Sequence, residues 1–187
     1  MNDLILLAAL LRGPAYGYAL KKTAGLIFGS SLMHSNVVYP LLKKFMQNGW
    51  VEQSSMQGDR GQTRKQYRIT TAGRSYLLEQ LGSAERYAGD DGSFLFRVAV
   101  FDVLPNQKRF AILAARKSFL VSRSQQLSEL RVATQPISFG AVALERVERL
   151  IQDELRWIQQ LERKLENKKG DLKCTQLRTP RATAHRS

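Results

Sequence analysis

Cysteine and histidine are scarce in this chain of 187 residues, which contains only Cys174, His34 and His185. One cysteine forms no internal disulfide, and these three side chains are too few for a typical zinc site. The scarcity excludes a disulfide-stapled secreted scaffold and indicates a reducing compartment. It also leaves no Ser/His/Asp or Cys/His set for nucleophilic catalysis, and the sequence has no phosphate-binding glycine motif. We therefore expect a protein that is not an enzyme and that uses neither a metal nor a cofactor.

Long hydrophobic runs are also missing. The apolar run at residues 4–11 has eight residues, whereas a helix that spans a bilayer needs about 20. Asn2 and Asp3 precede it in place of the basic residues that begin a secretory signal, and Arg12 and Gly13 end it. The run therefore predicts a buried first helix, and we expect a cytoplasmic location.

Acidic residues are few relative to basic ones. The chain has 29 Lys and Arg against 16 Asp and Glu, which gives a formal charge of +13 and a pI of about 10.2. The net charge is +6 over residues 1–81, +3 over residues 82–165 and +4 over residues 166–187. The middle segment has the mixed charge of solvated helix faces. The excess predicts an anionic partner: nucleic acid, an acidic membrane surface, or both.

A stretch rich in glycine and serine divides the chain at residues 82–93, GSAERYAGDDGS. We interpret it as a linker or a frayed helix end, in which Asp90 and Asp91 are more typical of a solvated turn than of a metal site. The basic tail has no apolar period and is predicted to be disordered, with Cys174 an exposed bystander. The predicted domains are residues 1–85, residues 93–166 and the tail at residues 167–187.

The first domain is predicted to form three helices, a β-hairpin and a fourth helix. Apolar positions at helical spacing, glycine and proline stops and a threonine cap set the bounds. The predicted helices cover residues 4–11, 18–28, 35–48 and a segment that begins at Thr70 or Thr71, and the strands cover residues 50–56 and 63–69. This order is typical of a winged helix-turn-helix, although other small α+β domains share it. The predicted fold class is mainly α with a small β-hairpin, followed by a helical dimerisation domain.

The third predicted helix has two contrasting faces. Its core stripe recurs at helical spacing and consists of Val38, Leu41, Leu42 and Phe45. Its opposite face carries side chains that suit DNA, namely Asn36, Tyr39, Lys43 and Gln47. Any solvated helix face is polar, but a tyrosine on that face favours the functional interpretation. Pro40 is tolerated only near a helix start, so the helix begins at Ser35 or Asn36 and directs free backbone N–H groups towards a phosphate.

The predicted hairpin is strongly basic. It carries Arg60, Arg64, Lys65 and Arg68, and within the hairpin no acidic residue follows Asp59. Such charges also protect the edge of a sheet from aggregation. Beside a polar third helix we prefer the interpretation that they contact DNA phosphates.

Three segments of the first domain resemble the PadR family of bacterial transcriptional regulators. They are LRGPAYGYALKK at residues 11–22, NVVYPLLKKFMQNGWV at residues 36–51 and RGQTRKQYRITTAGR at residues 60–74. The most diagnostic positions are Gly17–Tyr18, Tyr39–Pro40 followed by Leu42, Gly49 and Val51, and Tyr67 followed by Thr70, Ala72 and Gly73. Together the segments cover nearly all of residues 4–81 in the family's order.

The C-terminal part is similar to the longer PadR subgroup, which has a helical virulence-activator-type domain. Residues 94–105, FLFRVAVFDVLP, and residues 154–165, ELRWIQQLERKL, carry this looser similarity. The resemblance implies a dimeric winged-helix repressor or activator in which Ser35, Asn36 and Tyr39 approach bases and phosphates, and in which the wing residues Arg64 and Lys65 approach the adjacent backbone. The entry His34–Ser35–Asn36 departs from the family's commoner small residues, which puts the family's base preference in doubt here.

Two long helices are predicted after Pro105, over residues 106–135 and from residue 138 to about residue 167. Positions spaced by sevens in the second helix predict packing against a partner helix. Glu148, Glu154 and Glu162 interrupt that pattern, so a regular two-stranded coiled coil is not expected. An intramolecular helix pair is the alternative to a dimer. The predicted dimerisation residues are Leu144, Ile151, Leu155, Ile158, Leu161 and Leu165.

These observations lead to the hypothesis of a dimeric DNA-binding regulator, a repressor that reads an inverted repeat in double-stranded DNA. The expected partners are DNA and a second copy of the chain, with no membrane partner, and a small hydrophobic effector is a further candidate. Aromatic side chains that either line an effector site or form core are Phe94, Phe96, Phe101, Phe110, Phe119 and Trp157. The alternative function is a winged-helix module that mediates only protein association.

Overall fold

A computed structural model describes residues 2–28, 35–57, 63–134 and 138–176. The helices are α1 (Asn2–Ala9), α2 (Gly17–Phe28), α3 (Ser35–Gln47), α4 (Thr71–Gly82), α5 (Asp91–Ala99), α6 (Asn106–Thr134) and α7 (Ser138–Gln176), with short 3₁₀ turns at Leu10–Arg12 and Phe101–Val103. The strands are β1 (Ala15–Tyr16), β2 (Val51–Gln57) and β3 (Thr63–Ile69). The chain is mostly helical with a small antiparallel sheet, which confirms the predicted fold class.

The chain divides into two compact units, residues 1–112 and residues 113–187. The division lies inside α6, later than the linker predicted at residues 82–93. The reason is that α5 and the start of α6 are tied to the end of α4: Arg97 of α5 donates hydrogen bonds there, and the side chain of Lys108 packs beside Gly82. Among the described residues, no helix has the length and apolarity that a bilayer crossing requires.

The core of the first unit is built on α1, which packs against α2 and α4. Four leucines of α1 and its following turn are almost completely buried because that helix is surrounded by other elements. The buried side chains of this core include Leu4, Leu6, Leu7, Leu10, Leu20, Val38, Leu42, Phe45, Leu77 and Leu81. Burial of this many aliphatic groups supplies the main stabilising free energy of the unit.

The sheet has three strands in the order β1–β3–β2. Strands β2 and β3 form the predicted hairpin, in a register that runs from Val51 opposite Ile69 to Gln57 opposite Thr63. Strand β1 pairs with the other edge of β3, and Ala15 lies opposite Tyr67. Two residues are too few to show a period in the sequence, so β1 was not predicted. The hairpin turn, including Arg60, lies outside the described residues, as do His34 and His185.

A network of short-range contacts fixes α3 against α4. Gly49, with a φ of 68°, ends α3, and the N–H of Trp50 donates to the carbonyl of Phe45 at 2.8 Å. The hydroxyl of Thr70 donates to the carbonyl of Gly49 at 2.7 Å and accepts from the N–H of Gly73 at 3.0 Å. Thr70 therefore caps α4, as predicted, while it holds the end of α3.

Arg97 is a buried cation that caps the end of α4. It is 1% exposed, and its Nε donates to the carbonyl of Leu81 at 3.1 Å. The guanidinium also donates to the carbonyls of Ser83 and Ala84 and lies over the ring of Tyr87. Burial lowers the pKa of Arg97 to about 10, so it remains charged at neutral pH. Its charge complements the negative end of the α4 dipole.

In the second unit, α7 runs antiparallel to the part of α6 in that unit. Three ion pairs cross between the helices, and they join Arg131 to Glu148, Arg116 to Glu154 and Lys117 to Glu162. The three glutamates that interrupt the sevenfold pattern are thus the acidic partners of basic side chains on α6. Ile151, Ile158 and Leu165 are buried within this single chain. The intramolecular helix pair is therefore present.

Helix α7 also continues to Gln176, ten residues into the segment predicted to be a disordered tail. Between residues 167 and 176 the only helix-breaking residue is Gly170, and the next proline along the chain is Pro180. The pattern lost its apolar period, but a helix that is already nucleated propagates through charged residues with good helix propensity.

Candidate nucleic-acid interface

The predicted contact face of α3 is open to solvent. Asn36 and Lys43 are exposed, and Tyr39 is 49% exposed. Val38 and Phe45 on the opposite side are completely buried. The amphipathic pattern therefore orients α3 so that its amide, phenol and ammonium groups reach a partner outside the chain.

The start of α3 is tied to α2. The ammonium of Lys21 donates to the hydroxyl of Ser35 at 3.0 Å, and Ser35 is half-buried. Helix α3 begins at Ser35, as predicted, and Pro40 lies in its second turn. Because proline has no N–H, the carbonyl of Asn36 receives no helical hydrogen bond from position 40. Asn36 and Pro40 are both exposed, so water can bind this carbonyl and the missing hydrogen bond costs little free energy.

The basic residues of the wing differ in their surroundings. Arg64, Lys65 and Arg68 are all exposed. In the hairpin register Arg68 lies opposite Glu52, whereas Lys65 lies opposite Ser55. A cation directly opposite an acid on the neighbouring strand has its charge partly compensated. The charge of Arg68 is therefore more compensated across the hairpin than that of Lys65.

A cavity of about 600 Å³ opens between the start of α2, α3 and β3. We call it the tyrosine groove because four of its lining side chains are tyrosines. Its lining residues are Tyr16, Gly17, Tyr18, Ala19, Tyr39, Arg64, Lys65 and Tyr67. The groove brings Tyr39 together with Arg64 and Lys65, which are 25 or more positions apart in sequence. Ser35, Asn36, Lys43 and Arg68 are not among its lining residues.

Gly17 permits the close packing at the base of the groove. A Cβ at this position would lie 3.0 Å from Cε1 of Tyr39 and 3.5 Å from Cε2 of Tyr67. Tyr67 is 4% exposed, and burial raises its pKa, with a further contribution from Tyr39. Its hydroxyl is therefore protonated at neutral pH and available as a donor.

Sequence reasoning missed Tyr16 and Tyr18 as members of this surface. Tyr18 is 71% exposed, more than any other exposed large hydrophobic side chain described in the first unit. The signal was present as two tyrosines on either side of a glycine, but Gly17–Tyr18 entered only as a family marker. Their meeting with the wing depends on β1, which no sequence pattern predicts.

The predicted dimerisation residues occupy two environments. Ile151, Ile158 and Leu165 are buried between the helices of one chain, whereas the half-buried set is Leu144, Leu155 and Leu161. Large apolar side chains with high exposure also lie on α7: Phe139 is 87% exposed and Val142 is 59% exposed. Sequence reasoning missed both of them because they precede the sevenfold pattern.

Two further observations concern candidate ligand-binding residues. Within the parts of the chain that the structure describes, no cluster of three or more His, Cys, Asp or Glu residues has the arrangement of a metal site. Phe94, Phe96 and Phe101 are buried in the first unit and form core.

Comparison with known proteins gives a match within the first unit. Residues 6–79 match the family model described as the transcriptional regulator PadR-like family. This match confirms the resemblance inferred from the motifs at residues 11–22, 36–51 and 60–74. No curated protein matches the chain at a significant level.

Several solved structures are similar to the chain. A PadR family regulator from Eggerthella lenta is 31% identical with a TM-score of 0.35, and the alignment covers 42% of this chain and 66% of that one. Bacillus subtilis PadR in complex with operator DNA is 16% identical with a TM-score of 0.42, over 87% of this chain and 98% of that one. The same protein in complex with p-coumaric acid is 17% identical with a TM-score of 0.38, over 88% and 98%. The similarity to the PadR-like family is shown by the match at residues 6–79.

Proposed function

Because residues 6–79 match the model of the PadR-like family of transcriptional regulators, we propose that this chain is a dimeric repressor that reads an inverted-repeat operator. In this proposal α3 enters the major groove and the wing contacts the adjacent backbone. The observation that carries it is the meeting of an exposed polar helix face and an exposed basic hairpin around one groove. The DNA partner places the activity in the cytoplasm.

The base-reading role falls to the start of α3. The amide of Asn36 suits adenine, which offers an acceptor and a donor in the major groove, and Lys43 suits guanine or a phosphate. Both side chains are exposed, so they reach a base edge without rearrangement of the core. Ser35 and Tyr39 complete the surface. The hydrogen bond from Lys21 to Ser35 supports it by fixing where α3 starts.

The backbone-contact role falls to Arg64, Lys65 and Arg68 of the wing. Each is exposed, and together with the charge of +13 they predict binding that weakens steeply as salt is added. Lys65 supplies more of this attraction than Arg68, because Arg68 faces Glu52 across the hairpin whereas Lys65 faces Ser55. A buried hairpin would argue for the alternative, a module that only associates with proteins.

Dimerisation is proposed through the second unit. A two-helix unit has a small core, and it leaves apolar side chains such as Phe139 and Val142 in water. A second copy that covers them also receives the half-buried Leu144, Leu155 and Leu161, while Ile151, Ile158 and Leu165 support the interface from inside each chain. The two DNA-binding domains of the dimer then match the two halves of an inverted repeat.

Repression is the proposed regulatory outcome because a dimer that covers an operator within a promoter excludes polymerase. A small hydrophobic effector stays a prediction. Within the second unit its candidate aromatic contacts are Phe119 and Trp157, which are half-buried.

The test begins with selection of duplexes from a random-sequence library by the purified full chain. We expect an enriched inverted repeat, bound at least 100-fold more tightly than a random duplex at the same salt concentration. Sedimentation in the absence of DNA should give two chains per particle. Equal affinity for the enriched and random duplexes contradicts the proposed function. A single chain that binds one half-site with full affinity contradicts the dimeric part alone.

A further inference from the structure

The tyrosine groove carries a role that the family match and the sequence do not assign. Of its lining residues, the reading-surface prediction used only Tyr39, Arg64 and Lys65. Tyr16, Tyr18 and Tyr67 bring three further phenol groups to the same place. Phenol hydroxyls beside two cations form an environment that favours an oxygen-rich anion.

The first observation is the position of Tyr18. It is 71% exposed at the start of α2, so packing within the chain does not explain a large aromatic side chain there. Its neighbours around the groove are the wing cations Arg64 and Lys65. An exposed tyrosine next to a basic hairpin offers a hydroxyl donor to whatever the hairpin binds.

The second observation is Tyr67. It is 4% exposed and lines the groove. Burial raises its pKa, so its hydroxyl is protonated at neutral pH and can donate to a ligand oxygen in the groove.

The third observation is the start of α2 itself. The groove is lined by Gly17, Tyr18 and Ala19, the first three residues of a 12-residue helix, whose N–H groups have no helical acceptor. The positive end of that helix dipole adds to the cations of the wing. Gly17 keeps this end accessible, because a side chain at that position would meet the ring of Tyr39 at 3.0 Å.

We propose that the tyrosine groove binds one phosphate of the DNA backbone and that Tyr18 donates a hydrogen bond to it. This inference rests on the proposed function, because the phosphate belongs to the DNA strand beside the major groove that α3 enters. The tyrosine groove is open to solvent and continuous with the exposed face of Tyr39, so a phosphate within a duplex can reach it. Tyr18 thereby fixes the register of α3 on the DNA and carries no base information.

The experiment uses the full chain and the duplex enriched by selection. Tyr18→Phe removes only the hydroxyl from an exposed ring, and we expect the affinity to fall roughly three- to tenfold. Because the phenol is uncharged, the slope of log affinity against log salt should stay at the wild-type value. Tyr87→Phe, which changes a half-buried tyrosine outside the groove, is the matched control and should bind like the wild type.

A second measurement locates the contact. Duplexes that carry a single uncharged methylphosphonate at successive backbone positions are compared for both proteins. At one phosphate in each half-site, neutralisation should weaken the wild type more than Tyr18→Phe, because the contact is already lost in the variant. Gly17→Ala should mimic Tyr18→Phe at that position by crowding Tyr39.

The outcomes separate the two proposals. If the wild type distinguishes the enriched duplex from random DNA and Tyr18→Phe binds equally well, the inference about the groove is wrong and the proposed function stands. Additive effects of Tyr18→Phe and methylphosphonate at every position likewise overturn the inference. If the wild type does not distinguish the two duplexes, the proposed function fails and the inference fails with it.

Discussion

Arg116 of α6 holds Glu154 of α7 through two parallel hydrogen bonds. The distances are 2.8 Å from Nε to Oε1 and 2.9 Å from the terminal nitrogen to Oε2, and the Arg116 side chain is 1% exposed. The guanidinium also lies 5.5 Å from the ring centre of Phe119. A bidentate pair of this kind fixes the register between two helices, because a shift of one turn breaks both bonds.

Arg116→Met should therefore destabilise the second unit. Removal of one partner leaves the carboxylate of Glu154 half-buried without its cation, and we expect a loss of about 3 kcal/mol in the free energy of unfolding. The double variant Arg116→Met with Glu154→Leu should recover most of that loss, since apolar replacement of a buried pair is often neutral. Urea unfolding at one fixed protein concentration measures both.

The matched control for this pair is Arg131→Met. Arg131 pairs with Glu148 across the same two helices, but its side chain is 59% exposed. An exposed pair contributes less than about 1 kcal/mol. Equal losses for Arg116→Met and Arg131→Met would show that burial does not increase the contribution of the Arg116–Glu154 pair to the free energy of unfolding.

Gly73→Ala should disrupt the junction of α3 and α4. A Cβ at Gly73 would lie 2.1 Å from the carbonyl oxygen of Trp50, and that carbonyl is held by the N–H of Thr70 at 3.0 Å. The backbone must move, so we expect a loss of about 3 kcal/mol. Thermal unfolding followed by circular dichroism measures it.

Gly92→Ala is the matched substitution at an open position. Gly92 lies in the first turn of α5, is exposed, and a Cβ there would meet only an oxygen of Asp90 at an ordinary 3.6 Å. Alanine should stabilise this helix by about 0.5 kcal/mol. Similar effects at both glycines would contradict the close approach at Gly73.

Lys65→Met should reduce both the affinity for the selected duplex and its dependence on salt. Loss of one phosphate contact lowers the magnitude of the salt slope by about 1. Lys164→Met, an exposed lysine on α7, is the control and should leave the slope unchanged. Fluorescence anisotropy titrations at several salt concentrations measure the slope. The same slope for Lys65→Met and the wild type would remove the wing from the DNA contact.

Phe139→Ser should weaken dimerisation at little cost to the folded chain. Phe139 is 87% exposed, so its ring contributes little within one chain, whereas burial against a second copy would bring roughly 2 kcal/mol per chain. We expect the dissociation constant of the dimer to rise at least tenfold in sedimentation equilibrium. Leu95→Ser, which changes an exposed leucine of α5, serves as the control. A dimer of unchanged strength in Phe139→Ser would exclude this face from the interface.

Asp90 should make α5 sensitive to acid. Hydrogen bonds from Ser93 lower the pKa of Asp90 below its ordinary 3.8, because the charged carboxylate accepts them best. Its stabilisation is therefore fully present above about pH 4 and is lost as the pH falls through the lowered value. Asp90→Ala should cost about 1 kcal/mol at pH 7, and this difference from the wild type should shrink on acidification.

Asp90→Asn separates the charge from the cap. Asparagine caps helices about as well as aspartate but does not titrate, so this variant should resemble the wild type at pH 7. Unfolding in urea from pH 7 to pH 3 tests both variants. A constant difference between Asp90→Ala and the wild type over this range would show that the carboxylate charge has no role.

The periodic parts of the fold could be predicted from the sequence. Helix α3 begins at Ser35 and buries Val38, Leu42 and Phe45, because a 3.6-residue apolar period has one stable orientation on a core. Thr70 was expected as a cap, and it caps α4. These features depend on neighbours within a few residues, which the sequence displays directly.

The charged residues inside the fold could not be predicted in the same way. The place of Arg97 is fixed by carbonyls 13 to 16 positions away in sequence. Glu154 looked like a flaw in an apolar stripe, yet Arg116 lies 38 positions from it and neutralises it. No periodicity encodes a partner at such a distance.

The sequence by itself determined the order of the helices and hairpin strands other than α5 and β1, the basic character of the hairpin and which face of α3 is polar, because these follow from spacing and local composition. Only the tertiary structure decided that Tyr18 and Tyr39 share a groove with Arg64 and Lys65. That meeting requires the two-residue strand β1 to pair with β3 and Gly17 to admit the ring of Tyr39. Both are contacts between distant segments, and their geometry exists only once the core has packed.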